Sequence, residues 1–381
     1  MTHVAHSVAP PGPARYIMIG GFLGAGKTTA VARLASTLHA RGRRVGLITN
    51  DQGSGLVDTS VLRARGFATE EIPGGCFCCR FNSLVDAAAK LTAATRPDVF
   101  IAEPVGSCTD LVATVTYPLR RIYGDRFAIA PLSVLVDPQR ALRVFGLGAG
   151  RGFSDKVVYI YRKQLEEADL VVINKCDTLA ESDLTQLRAT LAREFPHAEV
   201  LAASARRGDG LDPWFERLLA QDQVARQAMA VDYAVYADGE ARLGWLNATL
   251  AITGEREFDA NALLEDFAGK IQARLAGSGS EVAHLKMTFS PDGGLNDLAA
   301  VNLVRSDFVP ELSLRLEQPC SSGQLILNLR AEAAPELLKS AVEASVAALP
   351  VSHPGLRVAL EHLEHFRPGK PQPTHRMLAP V

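Results

Sequence analysis

Residues 20–29 read G-G-F-L-G-A-G-K-T-T. They lie between a short apolar run, Tyr16 to Ile19, and a helical pattern that continues to about His39. Gly21, Gly26, Lys27 and Thr28 fit the phosphate-loop pattern G-x-x-x-x-G-K-[ST], placed after a strand and before a helix as that loop requires. Glycines let the backbone turn its N–H groups inward around a phosphate, and the following helix adds the positive end of its dipole. The expected phosphate-binding set is Gly21, Gly24, Ala25, Gly26, Lys27, Thr28 and Thr29. Lys27 is expected to reach the β- and γ-phosphates, and Thr28 to ligand Mg²⁺. The bland alternative, a glycine-rich turn matching by accident, is disfavoured by the flanks.

Working outward, Arg44 to Thr49, Asp98 to Ala102, Ile129 to Val136, Asp169 to Ile173 and Glu199 to Ala203 read as strands. Helical segments such as Ser83 to Ala94 and Glu181 to Glu194 lie between several of them. Near-continuous apolar strands alternating with helices predict an α/β domain with a mainly parallel sheet covered by helices on both faces. After about residue 240 the pattern changes. Trp245 to Thr253, Val282 to Phe289, Ala299 to Val304 and Gln324 to Leu329 read as strands, with helices at Asn261 to Leu275 and Pro335 to Ala348. This predicts a smaller α+β domain, a sheet with helices on one face. The expected division is a loose tail over 1–14, a first domain over 15–222, a linker over 223–240, a second domain over 241–366 and a Pro-rich loose tail over 367–381.

The chain has 381 residues, 47% hydrophobic and 22% charged, with a formal net charge of −2. Such a composition supports a buried core and excludes a disordered or fibrous chain. It supplies no bulk positive field for nucleic acid or an anionic membrane. No uncharged apolar run approaches the roughly 20 residues of a spanning helix. The first Lys or Arg is Arg15, so a secretory start is not expected and a reducing cytosol is. There, clustered thiols suggest metal or redox chemistry rather than a disulfide scaffold.

Asn174-Lys175-Cys176-Asp177 follows the strand D-L-V-V-I. A carboxylate at Asp177 can accept from both N1–H and the 2-amino group of guanine, whereas adenine would leave it unpaired. Ser204 and Ala205, one strand later, are expected to back the base, though an ordinary loop reads equally well there. Asp51 and Glu103 each end a strand, where ligands bind in open α/β sheets. Both are expected at Mg²⁺ and the γ-phosphate, with Gly106 as a switch glycine. For an acid at a strand end, a helix cap or a surface charge is the competing reading.

Gly74-Gly-Cys-Phe-Cys-Cys-Arg80 carries three thiols in four positions. No regular element aims three such side chains at one point, so this must be a loop, freed by Gly74 and Gly75. Cys76, Cys78 and Cys79 suit a soft ion such as Zn²⁺ or Cu⁺, and three ligands leave one tetrahedral position for exchange. Arg80 and the helix start near Ser83 would favour thiolates. A redox pair and buried filler are the weaker alternatives. Cys108, Cys176 and Cys320 read as packing or neutral. Four of the nine histidines, His353, His362, His365 and His375, fall in the last 29 residues; in a flexible end they read as exposed more readily than as ligands.

In this order, G-G-F-L-G-A-G-K-T-T, I-T-N-D, G-G-C-F-C-C, N-K-C-D and S-A-R-R-G-D-G-L-D-P-W make residues 15–221 resemble the CobW/HypB/UreG family of P-loop GTPases. The cysteine motif resembles its CobW branch of metallochaperones. The resemblance implies slow hydrolysis of GTP coupled to loading of a metal, zinc first, into a client metalloprotein. Cys76, Cys78 and Cys79 would then be the transition-metal ligands. Lys27, Asp51 and Glu103 would be the catalytic set, and Thr28, Asp51 and Glu103 would hold Mg²⁺. A GTP-dependent homodimer is also implied. The chain departs from the family in reading N-D-Q-G-S where N-E-[FY]-G-E is usual, and in placing Pro104 after Glu103 where Ser or Thr is usual. Its second half does not clearly match the family's second domain. Two other readings stand beside this one: a GTP-dependent chaperone or reactivator of a corrinoid or other metallocofactor enzyme, and a non-catalytic metal or redox sensor.

Overall fold

The computed structural model describes residues 12–52, 57–294 and 297–379. The loose tail expected at the N-terminus lies mostly outside them, as do residues 53–56 of the stretch after the second strand. The first sheet holds β1 (Ala14–Gly21), β2 (Val45–Asn50), β3 (Thr69–Ile72), β4 (Val99–Glu103), β5 (Phe127–Ile129), β6 (Ser133–Val136), β7 (Leu170–Ile173) and β8 (Glu199–Ala202). Its order is β3-β2-β4-β1-β6-β7-β8, with β5 also on β1, and the pairings are parallel. One run expected as a single strand, Ile129 to Val136, is split at Pro131. Proline has no N–H to give the ladder, so β5 pairs with the start of β1 and β6 with its end.

The helices of this domain are α1 (Lys27–Ala40), α2 (Val57–Ala64), α3 (Phe81–Thr95), α4 (Tyr117–Tyr123), α5 (Pro138–Val144), α6 (Asp155–Glu167), α7 (Glu181–Glu194) and α8 (Leu211–Ala220). They cover both faces of the sheet, each burying its apolar stripe. Leu34 and Leu38 of α1 share one core with Trp214 and Phe215 of α8. Leu84 and Leu91 of α3 share the other with Ile160 of α6 and Leu187 of α7. The strands are apolar on both sides because both sides are covered.

Residues 233–240, expected in a linker, belong to α9 (Tyr233–Arg242), capped by Asp232, with Tyr236 and Glu240 buried. The second sheet is antiparallel: β9 (Leu243–Phe258), β10 (Glu281–Pro291), β11 (Ala299–Leu303), β12 (Glu311–Leu314), β13 (Cys320–Glu332) and β14 (Leu356–Phe366), in the order β12-β11-β10-β13-β9-β14. Helices α10 (Ala260–Gly277) and α11 (Pro335–Ser352) bury Phe267, Ile271 and Leu338 against Leu285, Met287, Leu327 and Leu329 on one face. The period-2 alternation of strands sends the intervening residues to the opposite face. There Lys286, Asn328 and Asn247 stand in one register row, with His284, Arg330 and Trp245 in the next. That face rests on the first domain: Trp245 and Ala283 belong to its core, and Arg140 donates to the carbonyls of both Leu23 and Val304 at 2.5 Å.

The Pro-rich end differs from expectation most. Residues 368–379 run across the first domain instead of hanging free. Thr374 N–H donates to Cys78 O and Met377 N–H to Ala113 O, both at 2.8 Å, and Arg376 pairs with buried Asp110 at 2.6 Å. Backbone hydrogen bonds and a buried carboxylate hold a segment that has too few apolar residues to announce itself.

Candidate functional site

The phosphate loop turns through Gly21, Gly24 and Gly26 at φ +131°, +79° and +89°. A Cβ on Gly26 would stand 2.4 Å from Asn174 Nδ2, so glycine is required there for space as well as for φ. Lys27 Nζ donates to Gly21 O at 2.9 Å, and burial holds its pKa below the ordinary lysine range. The Asn174 carboxamide donates to Ala25 O at 2.8 Å and accepts from Ala205 N–H at 3.0 Å. The loops expected to read base and phosphate are thus tied by one side chain.

Lys175 adopts the left-handed conformation at φ +56° and donates to Gly24 O and Asp137 Oδ2, both at 2.8 Å. Burial raises the Asp137 carboxyl, but Lys175 and Arg140 beside it more than offset this and hold it at about 2. Asp177 follows on a 3₁₀ turn, 3.5 Å from Arg207. A cavity of about 250 Å³ is lined by Thr29, Asn174, Asp177 and Ala205 from the first domain and by Arg305 and Phe308 from the second. Ser204 stands behind it, fully buried, its Oγ accepting from Arg207 N–H at 3.1 Å. A neighbouring cavity of about 750 Å³ shares Gly26, Thr29 and Lys175, and includes Lys27, Thr28, Asp51, Glu103 and Gly106.

The carboxylates are arranged differently from the sequence reading. Thr28 Oγ1 lies 3.0 Å from Glu103 Oε1 and 2.7 Å from Oδ1 of Asp58, a residue of α2 that was not singled out. Asp51 is instead held by Arg330 of β13, at 3.1 and 3.2 Å. The cause is a fully buried guanidinium stacked 4.0 Å from the Trp245 ring, whose charge needs a counterion at the domain junction. Lys286 Nζ of β10 reaches Asp58 at 2.6 and 2.8 Å and Thr28 Oγ1 at 3.4 Å. Burial, then the Asp58 charge, pushes Glu103 up to about 7. Among the described residues, its Oε2 is buried without a hydrogen-bond partner. The Thr28 hydroxyl and the carboxylates of Asp58 and Glu103 form a hard oxygen set that fits Mg²⁺. Thr28, Glu103 and Asp58 are therefore the residues that would hold it.

The cysteine loop joins β3 to α3. Sulfur separations are 2.7 Å for Cys76–Cys78, 3.2 Å for Cys76–Cys79 and 3.6 Å for Cys78–Cys79, and all three sulfurs lie within 4.8 Å of one another. A zinc–sulfur length of about 2.3 Å corresponds to tetrahedral sulfur–sulfur edges of about 3.8 Å, so opening by about 1 Å seats an ion. The Arg80 guanidinium turns back to Gly74 O at 3.1 Å, bracing the glycine pair rather than facing the thiols. Cys108, read from the sequence as packing or neutral, is buried beside Cys76. Hydrogen bonding toward Cys108, then Cys78 and Cys79, holds the Cys76 thiol well below its ordinary value. Glu240 of α9 is buried nearby, and burial pushes it up to about 8. On the outer side Gln372 N–H donates to Cys79 Sγ at 3.2 Å, and His375 packs edge-on to Phe81 at 5.0 Å. His362 and His365 lie on β14, and His353 pairs with Asp266 at 3.0 Å.

Cysteine loop and nucleotide pocket are mechanically joined. Asn50 Nδ2 donates to Ile72 O at 2.9 Å and Gly75 O at 2.6 Å, and Gly75 N–H donates to Asp51 O at 3.5 Å. Asp58, Lys286, Arg330, Cys108 and Glu240 were missed by sequence reasoning. Only Lys286 carried a signal, a charge on one face of the alternating run V-A-H-L-K-M-T-F.

A phosphate loop opening the first helix of a parallel sheet, with N-K-x-D on a later strand end, defines a P-loop nucleotide-binding domain. Residues 15–202 match the profile of the CobW/HypB/UreG nucleotide-binding domain, and the chain carries a domain of that family. Among its relatives is "Zinc chaperone CobW" of a Sinorhizobium species, 33% identical over 192 residues, 45% of this chain and 53% of that one. The protein of the same name from Pseudomonas aeruginosa is 28% identical over 222 residues, 50% of this chain and 56% of that one. The chain thus spans about half the length of the curated relatives it matches. A solved structure, Zn(II)-bound YjiA GTPase from E. coli, aligns over 87% of this chain and 98% of its own at 14% identity and a TM-score of 0.37.

Proposed function

We propose that the protein is a cytosolic GTPase that couples GTP binding and hydrolysis to the handling of a transition metal, zinc foremost, and its transfer to a client metalloprotein. The observation that carries the reading is the convergence of Cys76, Cys78 and Cys79 within 4.8 Å, on a loop hydrogen-bonded to the strand end at Asn50 and Asp51. The relatives' description as zinc chaperones supports it.

In this account Asp177 reads guanine, Asn174 and Lys175 fix the base loop on the phosphate loop, and Lys27 with the loop N–H groups binds the phosphates. Hydrolysis forms a bond from a water oxygen to the γ-phosphorus and breaks the bond to the β–γ bridging oxygen. The electron pair leaves with GDP, and the water proton passes to phosphate or solvent. Magnesium, when bound, neutralises charge developing on the phosphates. Glu103 and Asp58 hold the donors around Thr28 in place. Three thiols leave a position open for a client ligand. The test is metal affinity with GDP and with a non-hydrolysable GTP analogue; this reading requires the two to differ.

A further inference from the structure

One patch of the second sheet grips both flanks of the stretch that follows β2. Arg330 holds Asp51 at 3.1 and 3.2 Å. The Asn328 carboxamide oxygen accepts from Val57 N–H, the first residue of α2, at 3.1 Å. Lys286, directly across the β10–β13 ladder from Asn328, holds Asp58 at 2.6 and 2.8 Å. These contacts come from neighbouring positions on one face of one sheet, so they make or break together with that sheet's position. Arg330 and Asn328 are buried, Arg330 completely, so neither is a loosely solvated surface group.

Lys286 does more than bridge domains. Its ammonium is 3.4 Å from Thr28 Oγ1 and 2.6 Å from Asp58 Oδ1, while Thr28 Oγ1 and Asp58 Oδ1 are themselves 2.7 Å apart. It therefore sits on two of the oxygens expected to serve a divalent cation. A cation of that size binds oxygen at about 2.0–2.1 Å and demands near-octahedral geometry. An ammonium on the same two oxygens leaves no room for it, and two like charges a few ångströms apart in a buried site repel strongly.

We propose that Lys286 is a further residue of the nucleotide site, supplied by the second domain, and that its contact with Asp58 and Thr28 excludes magnesium from those oxygens. Binding of the magnesium–nucleotide complex then requires Lys286 to leave Asp58. The second sheet's hold on Val57 and Asp51 loosens with it, which makes Lys286 a positioning residue that reports the metal-bound nucleotide to the second domain. The inference rests on the GTPase reading above. It reaches the cysteine loop through Asp51, whose carbonyl accepts from Gly75 N–H.

The experiment measures fluorescent GDP and GTP-analogue binding to the full chain as a function of Mg²⁺, for wild type, Lys286→Met and Lys286→Arg. Removing the competing ammonium is expected to lower the Mg²⁺ concentration for half-maximal effect by roughly tenfold in Lys286→Met, within the usual range of coupling between sites. Lys286→Arg keeps the charge and is expected to stay close to wild type. Nucleotide binding measured in EDTA supplies each variant's own reference, against which its Mg²⁺ effect is read. A second readout uses wild type alone, so that a poorly folding variant does not decide the matter. Amide exchange at Val57 is expected to quicken on adding nucleotide with Mg²⁺, but not on adding nucleotide with EDTA. An unchanged Mg²⁺ requirement in Lys286→Met, or Val57 protection that is the same with and without Mg²⁺, would overturn the proposal. Wild type that binds no guanine nucleotide under any condition would overturn the GTPase reading instead.

Discussion

Asp137 offers a perturbation whose size can be worked from the structure. It caps α5, accepting Arg140 N–H at 3.0 Å, and its other oxygen holds Lys175 of the base loop at 2.8 Å. Asn is as good a cap as Asp, so Asp137→Asn keeps the helix start and removes the charge. The buried carboxyl titrates at about 2 against an ordinary 3.8. That depression corresponds to about 2 kcal/mol of stability at pH 7. For a domain of this size that is a fall of roughly 4–8 °C in thermal midpoint. Because the folded pKa is depressed, the contribution is fully present above about 3.8 and is lost as pH falls through about 2. The gap between wild type and variant should therefore shrink to roughly half by pH 3. Calorimetry or denaturant titration at pH 7 and pH 3 measures both. A variant as stable as wild type at pH 7, or a gap that does not shrink with acid, would refute the claim that Lys175 and Arg140 depress this carboxyl.

Other outcomes follow from the same geometry. Lys27→Ala removes an ammonium at the most charged phosphates and should abolish hydrolysis while weakening triphosphate binding by about 10- to 100-fold; turnover near wild type would remove Lys27 from the site. Asp177→Asn should lower GTP affinity by about 100-fold and raise that for xanthosine triphosphate, because the carboxamide offers a donor to the xanthine carbonyl. Unchanged GTP affinity with no gain for the xanthine nucleotide would mean the base is read elsewhere. Deleting residues 371–379 removes the N–H that Gln372 gives Cys79 Sγ and the strap from Thr374 to Cys78. Labelling of Cys79 by a thiol reagent should then quicken several-fold, and an unchanged rate would show that the segment does not shield the loop.

What could be read from the sequence was what is local in the chain. The phosphate loop, N-K-C-D and the cysteine cluster are each carried by a few consecutive residues, because one turn of backbone builds each of them. Glu103 was legible for a related reason: it ends a strand whose apolar run is unmistakable, and strand ends meet the ligand. Asp58 was not, since it lies inside a short helix where an acid normally means a solvated face. Asp51 lines the cavity that holds Lys27 and Glu103, but its pairing with Arg330 was not legible, because that partner is 279 residues away and buried in another sheet. Lys286 needed the register of β10 and the docking of two domains before its charge had a meaning. Cys108 looked like any buried thiol until the fold set it beside Cys76. The C-terminal segment has prolines and few apolar residues, and what orders it is hydrogen bonding to distant backbone, which no periodicity records.

As proposed above, the cysteine cluster is a metal site under nucleotide control. Zn²⁺ is titrated into the protein with GDP and with a non-hydrolysable GTP analogue, in wild type and in the variant combining Cys76→Ser, Cys78→Ser and Cys79→Ser. The account predicts one tight site in wild type, with an affinity that differs about 5- to 150-fold between the two nucleotides, and reciprocally an effect of Zn²⁺ on nucleotide affinity by the same factor. In the triple variant both the tight site and the coupling should vanish while guanine-nucleotide binding persists. Equal wild-type affinities in the two nucleotide states, or tight stoichiometric Zn²⁺ retained by the triple variant, would contradict it.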